Sequence, residues 1–114
     1  MTTASAPSPG DVVLIRVDFL DGSGAKIRPA VVVSSFDYNG SWRQFVYVPV
    51  TGSVGPVGGA IEIEDLAPAG LNRRSFCHGT MLSAEVDNVV RRLGSLSARD
   101  RAGLRNLLAR IVAI

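Results

Sequence analysis

The residue best suited to chemistry in this sequence is Arg28, which stands directly before Pro29 at the start of the apolar segment 30–33. A guanidinium stays protonated at any biological pH and offers five donors in a planar fork that matches phosphate oxygens. Pro29 disfavours a helical backbone at Arg28, so the charge is held extended where a loop meets a strand. The sequence therefore indicates a phosphate-binding position. An ordinary arginine in a surface ion pair at a strand entry would give the same pattern.

His78 is the only histidine in the chain and is the natural candidate for proton transfer. An imidazole exchanges a proton near neutral pH, which suits a general acid or base. Strand alternation places His78 on the same face as Phe76, opposite Cys77. A lone histidine beside an aromatic ring more often has a structural role, so both interpretations stay open.

The 114 residues predict a single domain over residues 10–114, after a frayed, disordered leader over residues 1–9. A domain of this length buries about two-thirds of the surface of its unfolded chain, so it needs no disulfide. Cys77 is the only cysteine, which excludes an intrachain disulfide and a metal site built on a cysteine pair. The single cysteine therefore predicts a protein of the reducing cytoplasm. The longest apolar runs are far too short to span a membrane.

The formal net charge is only +2, so the distribution of charge says more than its total. Residues 91–114 hold six arginines and one acidic residue, whereas residues 58–90 hold five acidic residues and two arginines. A basic helix face is usually solvated, so this asymmetry does not by itself predict nucleic-acid binding.

Short apolar runs separated by polar or glycine-rich turns predict five strands. We expect them over residues 12–17, 30–35, 44–50, 60–63 and 75–82, with Gly79 as a bulge in the last one. Polar residues at 37–41 and the glycines of 52–59 predict loops, and the second loop is expected to be mobile. Residues 86–93 are consistent with a helical turn that leads into a short strand.

The C-terminal segment has the spacing of one amphipathic helix. Ser97 and Asp100 form a near capping box at its start. An apolar stripe follows at Leu104, Leu107, Leu108, Ile111 and Val112. Several short strands closed by one such helix predict a mainly β fold, a small SH3-like β-barrel with a C-terminal amphipathic α-helix.

Several short segments occur in the order and spacing of one known toxin family. They are PGDVVL at 9–14, DGSG at 21–24, KIRPAVVVS at 26–34, VPVT at 48–51, AGL at 69–71 and RLGSLS at 92–97. Together they make the chain resemble the MazF/PemK (Kid-like) toxins of type II toxin–antitoxin systems, from about residue 9 to the C-terminus.

This resemblance implies a bacterial mRNA interferase, a sequence-specific and ribosome-independent endoribonuclease that works without a metal. In that reaction the 2′-hydroxyl attacks the adjacent phosphorus and leaves a 2′,3′-cyclic phosphate and a 5′-hydroxyl. Arg28 would stabilise the charge on the phosphate, and Thr51, at the end of the third strand, would donate a hydrogen bond to it or to the leaving oxygen. The implied partners are single-stranded RNA, a cognate antitoxin and a second copy of the chain in a homodimer.

Further residues are candidates for catalysis or RNA binding beside these two. They are Ser53, Lys26, His78, Arg73 and Arg74. Aromatic or soft apolar side chains suited to an antitoxin groove or to base stacking are Trp42, Phe45, Tyr47 and Met81, although core packing is the simpler interpretation for Phe45 and Tyr47.

The chain departs from the family in one strand, where relatives carry an arginine and an aspartate and this sequence has Cys77 and Gly79. The departure leaves the proton-transfer partner unidentified. It also leaves two alternatives open. One is a catalytically silent or gyrase-binding toxin of the CcdB kind on a similar fold, and the other is a plain SH3-like nucleic-acid-binding or scaffold domain.

Overall fold

The computed structural model describes residues 5–53 and 59–114, which fold into one antiparallel sheet with two helices. The elements in chain order are β1 Asp11–Asp18, β2 Ala25–Val32, α1 Phe36–Trp42, β3 Gln44–Thr51, β4 Ala60–Glu62, β5 Phe76–His78, β6 Leu82–Glu85, β7 Val89–Ser95 and α2 Ala98–Ala109. The strand order is β4-β5-β3-β2-β1-β7, and β6 also pairs with β3. In the described part of the chain β4 and β7 do not pair with each other. The mainly β fold with a C-terminal helix is confirmed, and the sheet is an open form of the predicted barrel.

The central strands β1, β2 and β3 are buried on both faces over part of their length, where both sets of alternating positions are apolar, whereas the first half of β2, with Lys26 and Arg28, is exposed. Cross-strand partners share a face, so each row of partners belongs to one of two cores. Val12, Val31 and Val48 form one such row. They belong to the helix-side core, whose other buried members include Val50, Ile63, Cys77, Leu96, Leu104 and Leu107. A second core, which we call the groove-side core after the cavity described below, lies on the other face of the sheet. It contains Val13, Ile15, Ala30, Val32, Phe45, Tyr47 and Val86.

Helix α2 begins where the sequence predicts, with Ser97 as its N-cap accepting a hydrogen bond from the Asp100 amide at 3.2 Å. The predicted apolar stripe is only partly used. Leu104 and Leu107 are buried and Leu108 packs beside them, but Ile111 and Val112 lie beyond the helix end and are exposed. No helix in the described residues is long and apolar enough to cross a membrane.

The segment predicted as a loop at 37–41 is instead part of helix α1. Ser35 caps this helix by accepting from the Tyr38 amide at 3.2 Å. The decisive residue is Asn39, which is fully buried and whose amide group donates to the carbonyls of Pro7 at 2.8 Å and Ser34 at 3.2 Å. A short polar sequence with a glycine is typical of a turn, and only these long-range partners make it helical.

The predicted leader over residues 1–9 includes residues 1–4, which lie outside the described part of the chain. Within residues 5–9, Pro7 is buried and hydrogen-bonded to Asn39, and the Pro9 carbonyl accepts from Arg101 at 2.8 Å. Contacts with the domain therefore begin at Pro7, earlier than the boundary at residue 10.

The strand predicted over 75–82 is two strands, β5 and β6. They divide because opposite ends of β3 bind them: Val50 and Thr51 pair with β5, and residues 44–47 pair with β6. Gly79 marks the break rather than a bulge, and its amide donates to the carbonyl of Gly59 at 2.6 Å. The helical turn and strand predicted over 86–93 are confirmed as a 3₁₀ turn, Val86–Asn88, followed by β7.

A tight turn over residues 66–71 packs its backbone against β7. Gly70 has a φ of +72°, and a Cβ at this position would overlap the Leu93 carbonyl, so only glycine is tolerated here. A Cβ at Gly94 would overlap the Pro68 carbonyl in the same way. This close approach fixes where the chain continues at Leu71 toward Arg73.

Candidate functional site

The structure brings Arg28 and Thr51 to one cavity of about 240 Å³. Arg28 lies on β2 opposite Ile15 of β1. Ala30 of β2 pairs with Pro49 of β3 in antiparallel orientation, and Arg28 comes two residues before Ala30 just as Thr51 comes two residues after Pro49. The two side chains therefore share the face of the groove-side core. The apolar wall of this cavity, called the groove below, is formed by Ile15, Val17, Tyr47, Pro49 and Leu82.

A second cavity of about 340 Å³ adjoins the groove on the other side of Arg28. Arg28 lines both cavities, and Arg73, Asn72 and Gly52 line the second. Arg73 reaches this position because the turn over residues 66–71 is held against β7. Arg28 thus borders both cavities, although Ile15 of the groove and Leu14 of the second cavity lie on opposite faces of β1. The two cavities together are called the depression below, with the groove as its apolar end and the cavity that contains Arg73 as its basic end.

Arg28 is exposed, and none of the ion pairs among the described residues includes it. The surface ion pair that would explain a strand-entry arginine is therefore absent from residues 5–53 and 59–114. Arg73 likewise has no ion pair there. Both guanidiniums can turn their donors toward a ligand.

Arg74, the neighbour of Arg73, is already engaged. Its guanidinium donates to both carboxylate oxygens of Glu62, at 3.1 and 3.2 Å, and lies 5.2 Å from the centre of the Phe76 ring. The hydrogen bonds to Glu62 raise the pKa of Arg74 above its ordinary value. Arg74 therefore braces β4 against β5 and does not line either cavity.

The hydroxyl of Thr51 is held in a local turn. It donates to the Ser53 carbonyl and accepts from the Ser53 amide, both at 3.3 Å. These contacts are long, so they orient the hydroxyl at low cost and the proton can be turned to another acceptor. Ser53 itself is exposed and lies beside residues 54–58, so most of the mobile loop predicted over 52–59 falls outside the described residues.

The structure does not bring His78 to the groove. His78 is half-buried on β5, opposite Ala60 of β4, and lines neither cavity. Lys26 lies two residues before Arg28 and opposite Val17, with its ammonium 5.6 Å from the centre of the Phe19 ring. Lys26 is thus a basic group at the outer end of the groove, whereas His78 lies away from the groove.

Cys77 and Gly79 do not occupy the groove either. Cys77 is 0% exposed in the helix-side core, and this burial, together with the charge of Asp100, raises the pKa of its thiol to about 12. The residue of this chain segment that does line the groove is Leu82, opposite Tyr47. Sequence reasoning missed Leu82 because it treated 75–82 as one strand.

The four aromatic or soft apolar candidates separate clearly. Phe45 and Tyr47 are core residues, with ring centres 6.0 Å apart, and Met81 packs against the helix-side core. Trp42 is 68% exposed at the end of α1. Within the described residues, no group of three or more histidine, cysteine, aspartate or glutamate side chains is arranged to hold a metal ion.

No protein-family model and no curated protein matches this sequence. Solved structures do match the fold. A MazE–MazF complex from Deinococcus radiodurans (crystal form III) is 22% identical with a TM-score of 0.75, covering 93% of this chain and 95% of that chain. This chain has the fold of the MazF toxins.

Two further MazF-fold structures agree with it. A mycobacterial endoribonuclease in complex with its cognate antitoxin is 21% identical with a TM-score of 0.72, over 92% of this chain and 93% of that chain. The Mycobacterium tuberculosis toxin MazF-mt6 is 20% identical with a TM-score of 0.65, over 86% and 93%. The likeness therefore spans most of each chain.

Proposed function

We propose that this protein is the toxin of a type II toxin–antitoxin system and acts as a sequence-specific, ribosome-independent endoribonuclease on single-stranded RNA. The observation that carries the proposal is the convergence of Arg28 and Thr51 on one cavity, with no ion pair to Arg28 among the described residues. The MazF fold supports it, because one solved relative of that fold is an endoribonuclease bound to its antitoxin.

In the proposed reaction the ribose 2′-oxygen forms a bond to phosphorus, and the bond from phosphorus to the 5′-oxygen breaks. The 2′-hydroxyl loses its proton and the departing 5′-oxygen gains one, which gives a 2′,3′-cyclic phosphate and a 5′-hydroxyl. Arg28 stabilises the negative charge that builds up on the phosphate oxygens. Thr51 keeps its proton and donates a hydrogen bond to a phosphate oxygen or to the leaving oxygen, while solvent water takes the proton of the 2′-hydroxyl and supplies the one that the 5′-oxygen gains. The described residues that line the two cavities include no carboxylate and no imidazole, so the protein contributes mainly charge stabilisation and positioning.

The second cavity extends the proposed RNA site by one linkage. With the scissile phosphate at Arg28, the guanidinium of Arg73 is available for a neighbouring phosphate, and Asn72 offers an amide to the sugar or base. An RNA strand bound in this way passes from the apolar groove, past Arg28, to Arg73 in the second cavity.

The proposed partners follow the same likeness. Two of the solved MazF-fold structures contain an antitoxin, which supports a cognate antitoxin for this chain. We also propose that the protein works as a homodimer in the cytoplasm, and that it needs no cofactor.

The test is cleavage of a long RNA by purified protein in EDTA, comparing wild type with Arg28→Ala and Arg16→Ala. Loss of one preorganised donor to a developing oxyanion costs about 10²- to 10³-fold in rate, so Arg28→Ala should nearly abolish cleavage. Arg16 is a matched control because it is an exposed arginine in an ordinary ion pair with Asp18, and its removal should leave the rate unchanged. Cleavage by Arg28→Ala at the wild-type rate would contradict the proposal.

One observation favours a second function. Since no carboxylate or imidazole lines the cavities among the described residues, the same surface also suits a toxin or module that binds without cleaving. RNA that stays intact, with either gyrase inhibition or salt-sensitive RNA retention, would support this second candidate.

A further inference from the structure

We propose that the Tyr47 hydroxyl is a specificity-determining contact, which recognises the edge of the nucleobase next to the scissile phosphate. This role rests on the proposed RNA substrate and adds a residue to it. Tyr47 lies four residues before Thr51 on β3, on the same face of the strand and in the same groove.

The Tyr47 hydroxyl reaches solvent, and Tyr47 lines the groove. Only 6% of the Tyr47 residue is exposed. Every side-chain oxygen of the described residues that is buried from solvent has a hydrogen-bond partner. Tyr47 forms no hydrogen bond within residues 5–53 and 59–114, so its oxygen must reach solvent. The open space that the residue borders is the groove.

The surroundings of this hydroxyl suit one base. The groove is walled by Ile15, Val17, Pro49 and Leu82, which offer apolar contact to a flat ring. Its volume of about 240 Å³ is below the range of about 300–1,000 Å³ found for drug-sized ligands, so it takes a small group. Apart from Arg28 and Thr51, which are assigned to the phosphate, the Tyr47 hydroxyl is the polar side-chain group among the described residues of this apolar cavity, and this arrangement fits a nucleobase attached to that phosphate.

The ring holds the hydroxyl in one place. It packs against Phe45 with an interplanar angle of 51°, and its β3 position pairs with Val32 on one side and Leu82 on the other. Burial raises the pKa of Tyr47 above its ordinary value of 10.0, so the group stays a donor at neutral pH. A fixed, protonated hydroxyl discriminates between bases because a base without a matching acceptor leaves it unpaired.

The first test is Tyr47→Phe, which removes only the oxygen, with Tyr38→Phe as the matched control on exposed α1. Both are incubated with a randomised RNA pool, and the bases around each cut are read by sequencing the fragment ends. For Tyr47→Phe we expect a weaker preference at one position next to the cut and a fall in kcat/KM of about 3- to 10-fold on the preferred RNA. Tyr38→Phe should match wild type. An unchanged base preference in Tyr47→Phe, with unchanged thermal stability, would overturn the proposal.

A second test works even if the protein cuts no RNA. The two tyrosines are replaced by 3-fluorotyrosine, Tyr38→Phe assigns the two fluorine signals, and each of the four ribonucleoside 3′-monophosphates is titrated separately. The Tyr47 signal should shift by an amount that depends on the base. A Tyr47 signal that none of the nucleotides moves, or that all four move equally, sinks the proposal. Base-dependent shifts without RNA cleavage would instead overturn the nuclease function and keep the Tyr47 site.

Discussion

The Thr51 hydroxyl is hydrogen-bonded to the backbone, and Thr51 also lines the proposed RNA site. Its hydrogen bonds with Ser53 are typical of the end of a strand, and they alone would explain a threonine there. A purely structural role would not require Thr51 to line the same groove as Arg28. Loss of the structural role would lower the stability of the protein, whereas loss of the proposed catalytic role would lower the rate of RNA cleavage.

We predict that Thr51→Val lowers RNA cleavage by about 10²-fold, because it removes the proposed donor to the reacting phosphate. Thr51→Ser keeps the hydroxyl and should stay within a few-fold of wild type. Initial rates on one RNA, measured alongside urea denaturation, separate loss of function from loss of stability. Equal activity in the valine and serine variants would leave Thr51 with only its structural role.

At this scale the sequence predicts the residues that carry local signals. Arg28 is marked by Pro29, whereas Thr51 was predicted from the resemblance of VPVT at 48–51 to the MazF/PemK toxins, and both line the groove. Leu82 carries no such signal. It faces the groove because the first half of β3 pairs with β6, and a strand break decided by long-range pairing is not written in the local pattern. The open hydroxyl of Tyr47 was missed for a related reason, since a buried aromatic in a strand predicts core and nothing about its oxygen.

A buried carboxylate links helix α2 to the segment that follows β4. Asp100 is 2% exposed and accepts hydrogen bonds from the amides of Glu64 and Asp65, each at 2.9 Å. The capping box predicted at this helix start is therefore only half formed, because the side chain of Asp100 serves the segment after β4 instead of the Ser97 amide. Ser97 donates to Asp65 at 2.6 Å, and with Arg99 it holds the pKa of that carboxyl below its ordinary value.

We predict that Asp100→Asn destabilises the protein by about 1–3 kcal/mol, because one buried amide then faces an N–H group instead of an acceptor. Asn106→Ala is the control, since Asn106 is exposed on the same helix and alanine is the better helix former. The urea midpoint at constant slope gives the difference. A midpoint in Asp100→Asn equal to that of wild type would show that the two amides find other partners.

The sequence predicted those strands and helices whose own residues carry the local signals for the structure. The apolar runs of strands β1 and β3 and the cap and apolar stripe of helix α2 are such signals. Each of these elements begins within one or two residues of its predicted start. Helix α1 depends on Asn39 reaching Pro7, a residue 32 positions earlier in the chain. That partner is invisible to a reading of residues 37–41 alone.

On the scale of the whole molecule, the small net charge conceals a local concentration of unpaired cations. Five arginines are held in ion pairs with acidic residues across the described surface. Arg28 and Arg73 are not, and both border the second cavity. Other basic residues, Lys26 and Arg105 among them, also lie outside these five ion pairs, so the shared cavity is what distinguishes Arg28 and Arg73. If RNA binds as proposed, counterion release at these two arginines should matter more than the total charge of +2.

The salt dependence of RNA binding therefore tests the molecule as a whole. Each phosphate contact contributes about 0.7 to the slope of log affinity against log salt for single strands, so Arg73→Ala should reduce the magnitude of that slope by about 0.7. The measurement uses a non-cleavable 2′-deoxy oligonucleotide at a series of salt concentrations. Arg105→Ala is the control with the same change of charge, because Arg105 lines a different cavity, beside Pro9 and Leu108. If the two variants reduce the slope equally, net charge rather than the placement of Arg73 controls binding, and the basic end of the depression has no role as an RNA site.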